Sequence, residues 1–238
     1  ISALGARNAA VRGFLNLARE ARYVMDLDSK GNPIPNLKLL DRELKDLAKQ
    51  NEPVVVLGFT FVLYSYGVKP LLDMNKSFPL PLGSKVIHIG GWKKLQDQSV
   101  SKTVYNSTLA ELFSIKEQDI IDFYGFTEQM GVTYPDGPSG TKCVPIFSDV
   151  IVRDPKSHKV LRDGQEGLLE FVSPLPFSYP GLAILTDDVG YIEPEMNNSS
   201  KDDWKCKRFR VLGRARKSEP RGCGDIMDDK IFTSKVPS

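Results

Sequence analysis

The chain has 238 residues, enough for one large domain or a domain with a smaller companion. Hydrophobic residues make up 41% and charged residues 26%, and 32 Lys+Arg against 30 Asp+Glu leave a net charge of +2. That balance argues against an intrinsically disordered chain and supplies no basic surface of the kind that draws nucleic acid. Three cysteines without a CxxC pair, with only His88 and His158 as histidines, argue against a disulfide scaffold, a zinc ribbon and a His-rich metal site.

The longest uncharged run, residues 53–68, is shorter than the roughly 20 residues a spanning helix needs. No basic-then-apolar leader opens the chain. The expectation is a soluble protein of a reducing compartment, the cytoplasm, with no membrane span. The first residue is Ile1 rather than Met, so the sequence reads as a fragment or a processed chain.

In chain order, residues 7–27 place Val11, Phe14, Leu15, Leu17 and Val24 at spacings that suit a helix with one buried face. Asn32-Pro33-Ile34-Pro35 punctuates a loop. Leu37, Leu40, Leu44 and Leu47 recur at three and four residues and predict a second amphipathic helix. The apolar run 54–57 suits a buried parallel strand, and a helix over 61–74 follows. Residues 85–89 form a second strand ended by Gly90-Gly91. A helix over 101–113 comes next. Ser114-Ile115-Lys116-Glu117 has the pattern of a capping box opening a short helix. Residues 120–124 make a third strand ended by Gly125. This alternation predicts an α/β layer with a mostly parallel sheet. From Cys143 the segments are short and strand-like: 144–153, 167–173, 181–186, 189–193 and 207–212. Asp154-Pro155, Asp163-Gly164, Ser173-Pro174 and Asn197-Asn198 separate them, predicting an antiparallel, barrel-like β subdomain. The expected division is an α/β subdomain at 1–142, a β subdomain at 143–213 and a basic hinge and tail at 214–238.

Several segments carry residues suited to chemistry. Tyr124-Gly125-Phe126-Thr127-Glu128 follows a strand, and strand C-terminal ends are where open α/β sheets bind ligands. Its aromatic face can stack a base, its hydroxyl can reach a phosphate, and its carboxylate can hold Mg2+. On spacing alone it reads rather as a strand-end turn with a solvated glutamate. Thr186-Asp187-Asp188-Val189-Gly190-Tyr191 reads as a turn between two strands whose carboxylate can accept both hydroxyls of a ribose, or as a common Asp-rich hairpin turn. Gly213-Arg214-Ala215-Arg216-Lys217 ends a strand in a basic cluster, where an arginine fork can reach a phosphate or ribose or simply lead into a solvated tail.

Together and in this order, these segments resemble the motifs of the adenylate-forming enzyme superfamily: a Tyr-Gly-x-Thr-Glu loop, a Thr-Gly-Asp-like turn and a Gly-Arg hinge. The first is intact. In the second, Asp187 stands where the family has glycine. Within that superfamily, Ile87-His88-Ile89-Gly90-Gly91-Trp92-Lys93-Lys94, the Tyr124 loop and Arg221-Gly222-Cys223-Gly224 look like the LuxE-type acyl-protein synthetases. Those enzymes activate fatty acids with ATP and pass the acyl group to a cysteine near their C-terminus, and in luminous bacteria they feed a fatty-acid reductase.

The resemblance implies a partial N-terminal domain of the adenylate-forming fold, with ATP and Mg2+ as cofactors and a long-chain fatty acid as substrate. An acyl-CoA/fatty-acid reductase is the partner it implies. By position, Tyr124 with Gly125 would meet adenine, Thr127 the phosphate and Glu128 the Mg2+. Asp188 would bind the ribose hydroxyls with help from Arg214. Gly90 and Gly91 would let backbone approach the acyl-adenylate, Trp92 would line the acyl pocket and His88 would sit near the carboxylate, unless it is an ordinary hydrogen-bonded strand-end histidine. Cys223, flanked by glycines and near Arg214, Arg216, Lys217 and Arg221, would be the acyl acceptor, since nearby positive charge raises the thiolate fraction. Cys143 and Cys206 carry no assigned role.

The family's Ser/Thr/Gly-rich phosphate loop has no counterpart here, nor has a C-terminal lid with a catalytic lysine. The expectation is that this chain holds the adenosine half of the site and that full catalysis needs an upstream segment. Two other readings remain open: an acyl- or aryl-CoA ligase, and a non-catalytic remnant or nucleotide- or acyl-binding module.

Overall fold

The structure is a computed structural model that describes residues 13–16, 18–27, 29, 33–74, 77–92, 99–129, 131–176, 180–194 and 204–215. Two compact units emerge, one built from residues within Phe14–Asp122 and the other from residues within Phe123–Arg221.

The first unit opens with a departure from the expected helix. Met25–Leu27 (β1) pairs antiparallel with Pro33–Pro35 (β2), so residues expected in a helix and in a loop form a two-stranded ribbon. Proline fixes φ and lacks a donor, so Pro33 and Pro35 fit an edge strand and not a central one. Leu37–Leu47 (α1) is the predicted amphipathic helix, capped by the Asn36 side chain, which accepts from the Leu39 N–H at 2.9 Å.

Val55–Phe59 (β3) and Lys85–Ile89 (β4) run parallel with Val55 opposite Lys85 and Phe59 opposite Ile89. Between them α2 begins at Thr60–Val62, passes through a π-helical stretch, Leu63–Val68, and ends at Lys69–Asp73. Lys102–Phe113 (α3) starts on Ser101, whose hydroxyl accepts from the Val104 N–H at 3.2 Å. It ends on Ser114 at φ 52°. Ser114 is therefore a left-handed C-cap and not the start of a capping box; the 3-10 turn Glu117–Asp119 that follows has no side-chain cap. Ile120–Tyr124 (β5) lies next to β4 in the sheet. Tyr64, Val68, Leu71, Val86, Leu109 and Phe113 form the centre of this unit's core.

In the second unit, Tyr134–Pro135 (β6) pairs antiparallel with the last residues of β5, Tyr124 facing Tyr134. Lys142–Cys143 (β7), Asp149–Arg153 (β8), Gly167–Val172 (β9), Ala183–Ile192 (β10) and Arg208–Arg214 (β11) form a five-stranded sheet in the order β7-β11-β10-β9-β8. All its pairs are antiparallel, as expected. The sheet is open, with β7 and β8 as edges, so the barrel-like closure does not form. Val150, Leu169, Phe171, Phe209 and Tyr134 fill its buried face.

The two segments expected at 181–186 and 189–193 are one strand, β10. What looked like an Asp-rich turn is a bulge inside it, with register shifts between Leu185 and Val189 against β9 and between Val189 and Gly190 against β11. Glycine is required here. A Cβ at Gly190 would stand 2.0 Å from the Arg210 carbonyl oxygen, and one at Gly167, its partner across β9, would stand 2.4 Å from that of Arg153.

Cys143 and Cys206 are joined by a disulfide across 63 residues of sequence, which corrects the expectation of no disulfide. The bond ties the edge strand β7 to the segment entering β11. Beside it, Lys142 and Asp136 form a buried ion pair at 3.1 Å. Cysteine spacing alone gave no sign of the pairing, because it is made by strand neighbours far apart in sequence. Cross-linking so long a loop removes unfolded-chain entropy worth about 2–4 kcal/mol. Cys206→Ser should therefore lower unfolding stability by roughly that amount in denaturant titrations under non-reducing conditions, and the same loss should follow when the wild-type protein is reduced.

Candidate functional site

In the second unit the three segments singled out from the sequence meet at one carboxylate. Asp188 lies on the bulged stretch of β10, directly opposite Arg214 on β11. Its Oδ2 accepts from the Tyr124 hydroxyl at 2.5 Å, and its Oδ1 accepts from Arg214 Nε at 3.3 Å. Its own backbone N–H donates to the Thr186 hydroxyl oxygen at 3.2 Å, and that hydroxyl donates to the Leu169 carbonyl at 2.9 Å. The carboxylate side chain is 16% exposed, so these charge-assisted bonds both satisfy it and aim it.

The bulge is what makes this possible. Val189 faces Gly213 while Gly190 faces Val211, and the extra residue on β11 returns Arg214 to register with Asp188. Gly213 takes φ +143°, a conformation that side chains rarely adopt.

Tyr124 is half-buried. Its ring stacks on Phe171 at 5.4 Å, with Phe126, Tyr134 and Phe209 around it. One face of the ring assigned to adenine is thus already used within the protein. Burial, then the negative charge of Asp188, push the phenol well above its ordinary range, so it stays a proton donor to the carboxylate.

Beyond half-buried Gly125, the 3-10 turn Thr127–Gln129 exposes Thr127 and Glu128 and buries Gln129 completely. The Gln129 amide nitrogen donates to the Phe171 carbonyl at 3.1 Å and the Gly181 carbonyl at 2.9 Å. Sequence reasoning gave Gln129 no role, although it fastens the turn that carries Thr127 and Glu128. Its signal was weak, since a glutamine after a glutamate in a loop reads as solvated.

The acyl-side candidates lie in the first unit. His88 on β4 is 4% exposed, with Nδ1 2.9 Å from the Thr60 hydroxyl oxygen and 3.6 Å from Asp122 Oδ1. The Thr60 hydroxyl is 2.5 Å from the Gly90 carbonyl oxygen, to which it donates. Gly90 takes φ +81°, and a Cβ on Gly91 would meet nothing within 4 Å. Half-buried Trp92 packs edge-on against Tyr64 at 5.3 Å and Tyr105 at 6.2 Å. Tyr105 also lies on His88 with ring centres 4.5 Å apart, and burial, followed by Asp122, raises its phenol pKa. Thr60 and Asp122 were not among the residues singled out from sequence. The clue to Asp122 was a lone charge inside the apolar run 120–124.

Cys223 lies outside the described residues. Among the described residues no cluster of three His, Cys, Asp or Glu is arranged to hold a metal ion, and no helix is long and apolar enough to cross a membrane. A single exposed carboxylate such as Glu128 fits Mg2+ that arrives with phosphates and keeps most of its other oxygen ligands.

Removing the Tyr124 hydroxyl should loosen the carboxylate without opening the core. If Asp188 has the ribose-binding role expected from the sequence, Tyr124→Phe should weaken ATP binding by roughly tenfold, the value of one charge-assisted hydrogen bond, in calorimetric titrations. At the alkaline end, burial holds the Tyr134 phenol up at about 12. The unfolded chain releases that proton from about pH 10, so stability is complete below that pH and is lost as pH rises toward the folded value. Denaturation midpoints measured across that window should fall steadily.

The sequence model of one family, described as acyl-protein synthetase, LuxE, matches residues 1–232. The long-chain-fatty-acid–luciferin-component ligase of Vibrio harveyi is 29% identical over 150 residues, which is 63% of this chain and 38% of that protein. The protein of the same name from Aliivibrio fischeri is 30% identical over 153 residues, 63% of this chain and 39% of that one. The chain thus spans about two fifths of the length of these relatives. Among solved structures, an open conformation of 2-hydroxyisobutyryl-CoA ligase superposes with a TM-score of 0.53 at 15% identity, covering 75% of this chain and 40% of that one. At that identity the likeness is one of fold, and it identifies the two units as part of an adenylate-forming enzyme fold. With the family model matching almost the whole sequence, the chain belongs to the LuxE family of acyl-protein synthetases.

Proposed function

We propose that this chain carries the adenosine-binding half of an enzyme that activates a long-chain fatty acid with ATP and transfers the acyl group to its own cysteine. The observation that carries the reading is the convergence of Tyr124, Thr186 and Arg214 on Asp188. An oriented carboxylate accepts from both hydroxyls of a ribose, and here its orientation is fixed before any nucleotide arrives.

In the first step a carboxylate oxygen of the fatty acid attacks the α-phosphorus of ATP, and pyrophosphate leaves with the electron pair of the broken P–O bond. Asp188 holds the ribose, Arg214 lies beside it, and the Tyr124–Gly125 segment meets adenine. Thr127 donates to a phosphate oxygen. Glu128 would hold Mg2+, which supplies charge neutralisation on the phosphates. Gly90 and Gly91 give backbone access to the acyl-adenylate, Trp92 borders the acyl chain and His88 lies near the carboxylate end. In the second step the Cys223 thiolate attacks the acyl carbonyl, a C–S bond forms and AMP departs. The thioester is then a substrate for a reductase of the acyl-CoA/fatty-acid class. ATP supply places the reaction in the cytoplasm, where the Cys143–Cys206 bond is exposed to reduction by the thiol pool.

Intact-protein mass of the full-length gene product, incubated with ATP, Mg2+ and a long-chain fatty acid, tests the reading. The expected result is a hydroxylamine-sensitive acyl adduct that disappears in Cys223→Ser, with fatty-acid-dependent ATP–pyrophosphate exchange retained. Exchange without an adduct, and AMP release that requires coenzyme A, would make it an acyl- or aryl-CoA ligase. Neither exchange nor adduct would leave a binding module. The 238-residue chain by itself should bind ATP but show little exchange; normal exchange by it would contradict the assignment of only the adenosine half.

A further inference from the structure

Thr60, His88 and Asp122 form a polar relay behind the glycine turn at the end of β4. The Thr60 hydroxyl has one proton, and the Gly90 carbonyl, 2.5 Å away, can only accept it. The lone pairs of Thr60 are left to His88 Nδ1 at 2.9 Å, so Nδ1 must be the donor. Asp122 Oδ1, 3.6 Å from the same nitrogen, favours a proton there. Tyr105 lies on the imidazole with ring centres 4.5 Å apart and fixes its plane. The backbone sets the level of the parts. Gly58 faces His88 and Phe59 faces Ile89 in the parallel pair, so Thr60, the next residue of its chain, arrives beside Gly90.

A trans peptide points its C=O and N–H in opposite directions. Holding the Gly90 carbonyl on Thr60 therefore turns the Gly91 N–H away from Thr60, and a Cβ added to Gly91 would meet nothing within 4 Å. Glycine would otherwise leave this peptide free to rotate, and Gly90 already sits at φ +81°. We propose that Thr60 and His88 are positioning residues that lock the Gly90–Gly91 peptide so that the Gly91 N–H is a fixed donor to the oxygen of the reacting carboxylate or acyl group. His88 acts through Nδ1 and Thr60, not by presenting Nε2 to substrate. The identity of the oxygen rests on the fatty-acid-activation reading; the relay does not.

Two measurements on the full-length gene product test this separately. With 15N-labelled histidine, the His88 side-chain signals are identified by their loss in His88→Asn. His88 should show a protonated Nδ1, and Thr60→Val should shift that signature. An Nε2–H tautomer in the wild type would overturn the relay whatever the activity. In fatty-acid-dependent ATP–pyrophosphate exchange, Thr60→Val should raise KM for the fatty acid by roughly tenfold while leaving KM for ATP within about twofold, the cost of one aligned hydrogen bond. A simple folding defect would instead lower the active fraction and leave both KM values unchanged. Thr60→Ser should restore wild-type values. His88→Asn, whose amide nitrogen can take the place of Nδ1, should behave like the wild type, and His88→Gln, which mimics Nε2, like Thr60→Val. The reverse order of the two histidine variants, or a Thr60→Val enzyme with unchanged fatty-acid KM, would overturn the proposal. A wild type without exchange would defeat the fatty-acid reading and leave the tautomer experiment to decide the relay.

Discussion

A mostly buried carboxylate needs hydrogen-bond donors in place of water, and that requirement organises the second unit. Asp188 takes the Tyr124 hydroxyl on one oxygen and the Arg214 guanidinium on the other, while Thr186 steadies its backbone. The three partners come from the end of β5, from β10 itself and from the end of β11. Each element has to arrive at the right height for the cluster to close. The register shifts of β10 against β9 and β11 and the close approach at Gly190 and Gly167 supply that height, because no side chain fits between the strands at those two glycines. The aromatic packing around Phe171 then sets the angle at which Tyr124 reaches the carboxylate.

Much of this was legible in the residues. The order of the Tyr124, Asp188 and Arg214 segments pointed to one site, and the structure joins these three by direct hydrogen bonds. The strands at 85–89 and 120–124, the helix at 37–47 and the antiparallel character after Cys143 were read from periodicity and turn residues. The form of the Asp188 segment was misread. Two aspartates and a glycine look like a hairpin turn, yet β10 runs straight through them, since Gly190 is demanded by backbone approach and not by a reversal of the chain. Ser114 misled for a related reason. A serine followed three residues later by glutamate suits a helix start, but here it closes α3 in the left-handed region.

Other features were not local enough to read. The Cys143–Cys206 bond depends on β7 and β11 being neighbours, which no spacing rule supplies. The Thr60 relay hides inside apolar segments, where a threonine after a strand and an aspartate within one look like minor interruptions. Its meaning is visible only when β3 and β4 are laid in register and Thr60 is found between His88 and the Gly90 carbonyl. The two units thus use the same device: a short chain of hydrogen bonds fixes one group, a carboxylate in one and a peptide in the other.

The role of Asp188 is tested most directly by the affinity of the full-length gene product for ATP compared with ATP lacking both ribose hydroxyls, measured on the wild type and on Asp188→Asn. If Asp188 is the ribose acceptor, the wild type should lose affinity by roughly tenfold or more for the deoxygenated nucleotide, and Asp188→Asn should barely distinguish the two. A wild type that binds both equally, or a variant that keeps the full preference, would contradict the claim that the Tyr124–Asp188–Arg214 cluster is built to hold a ribose.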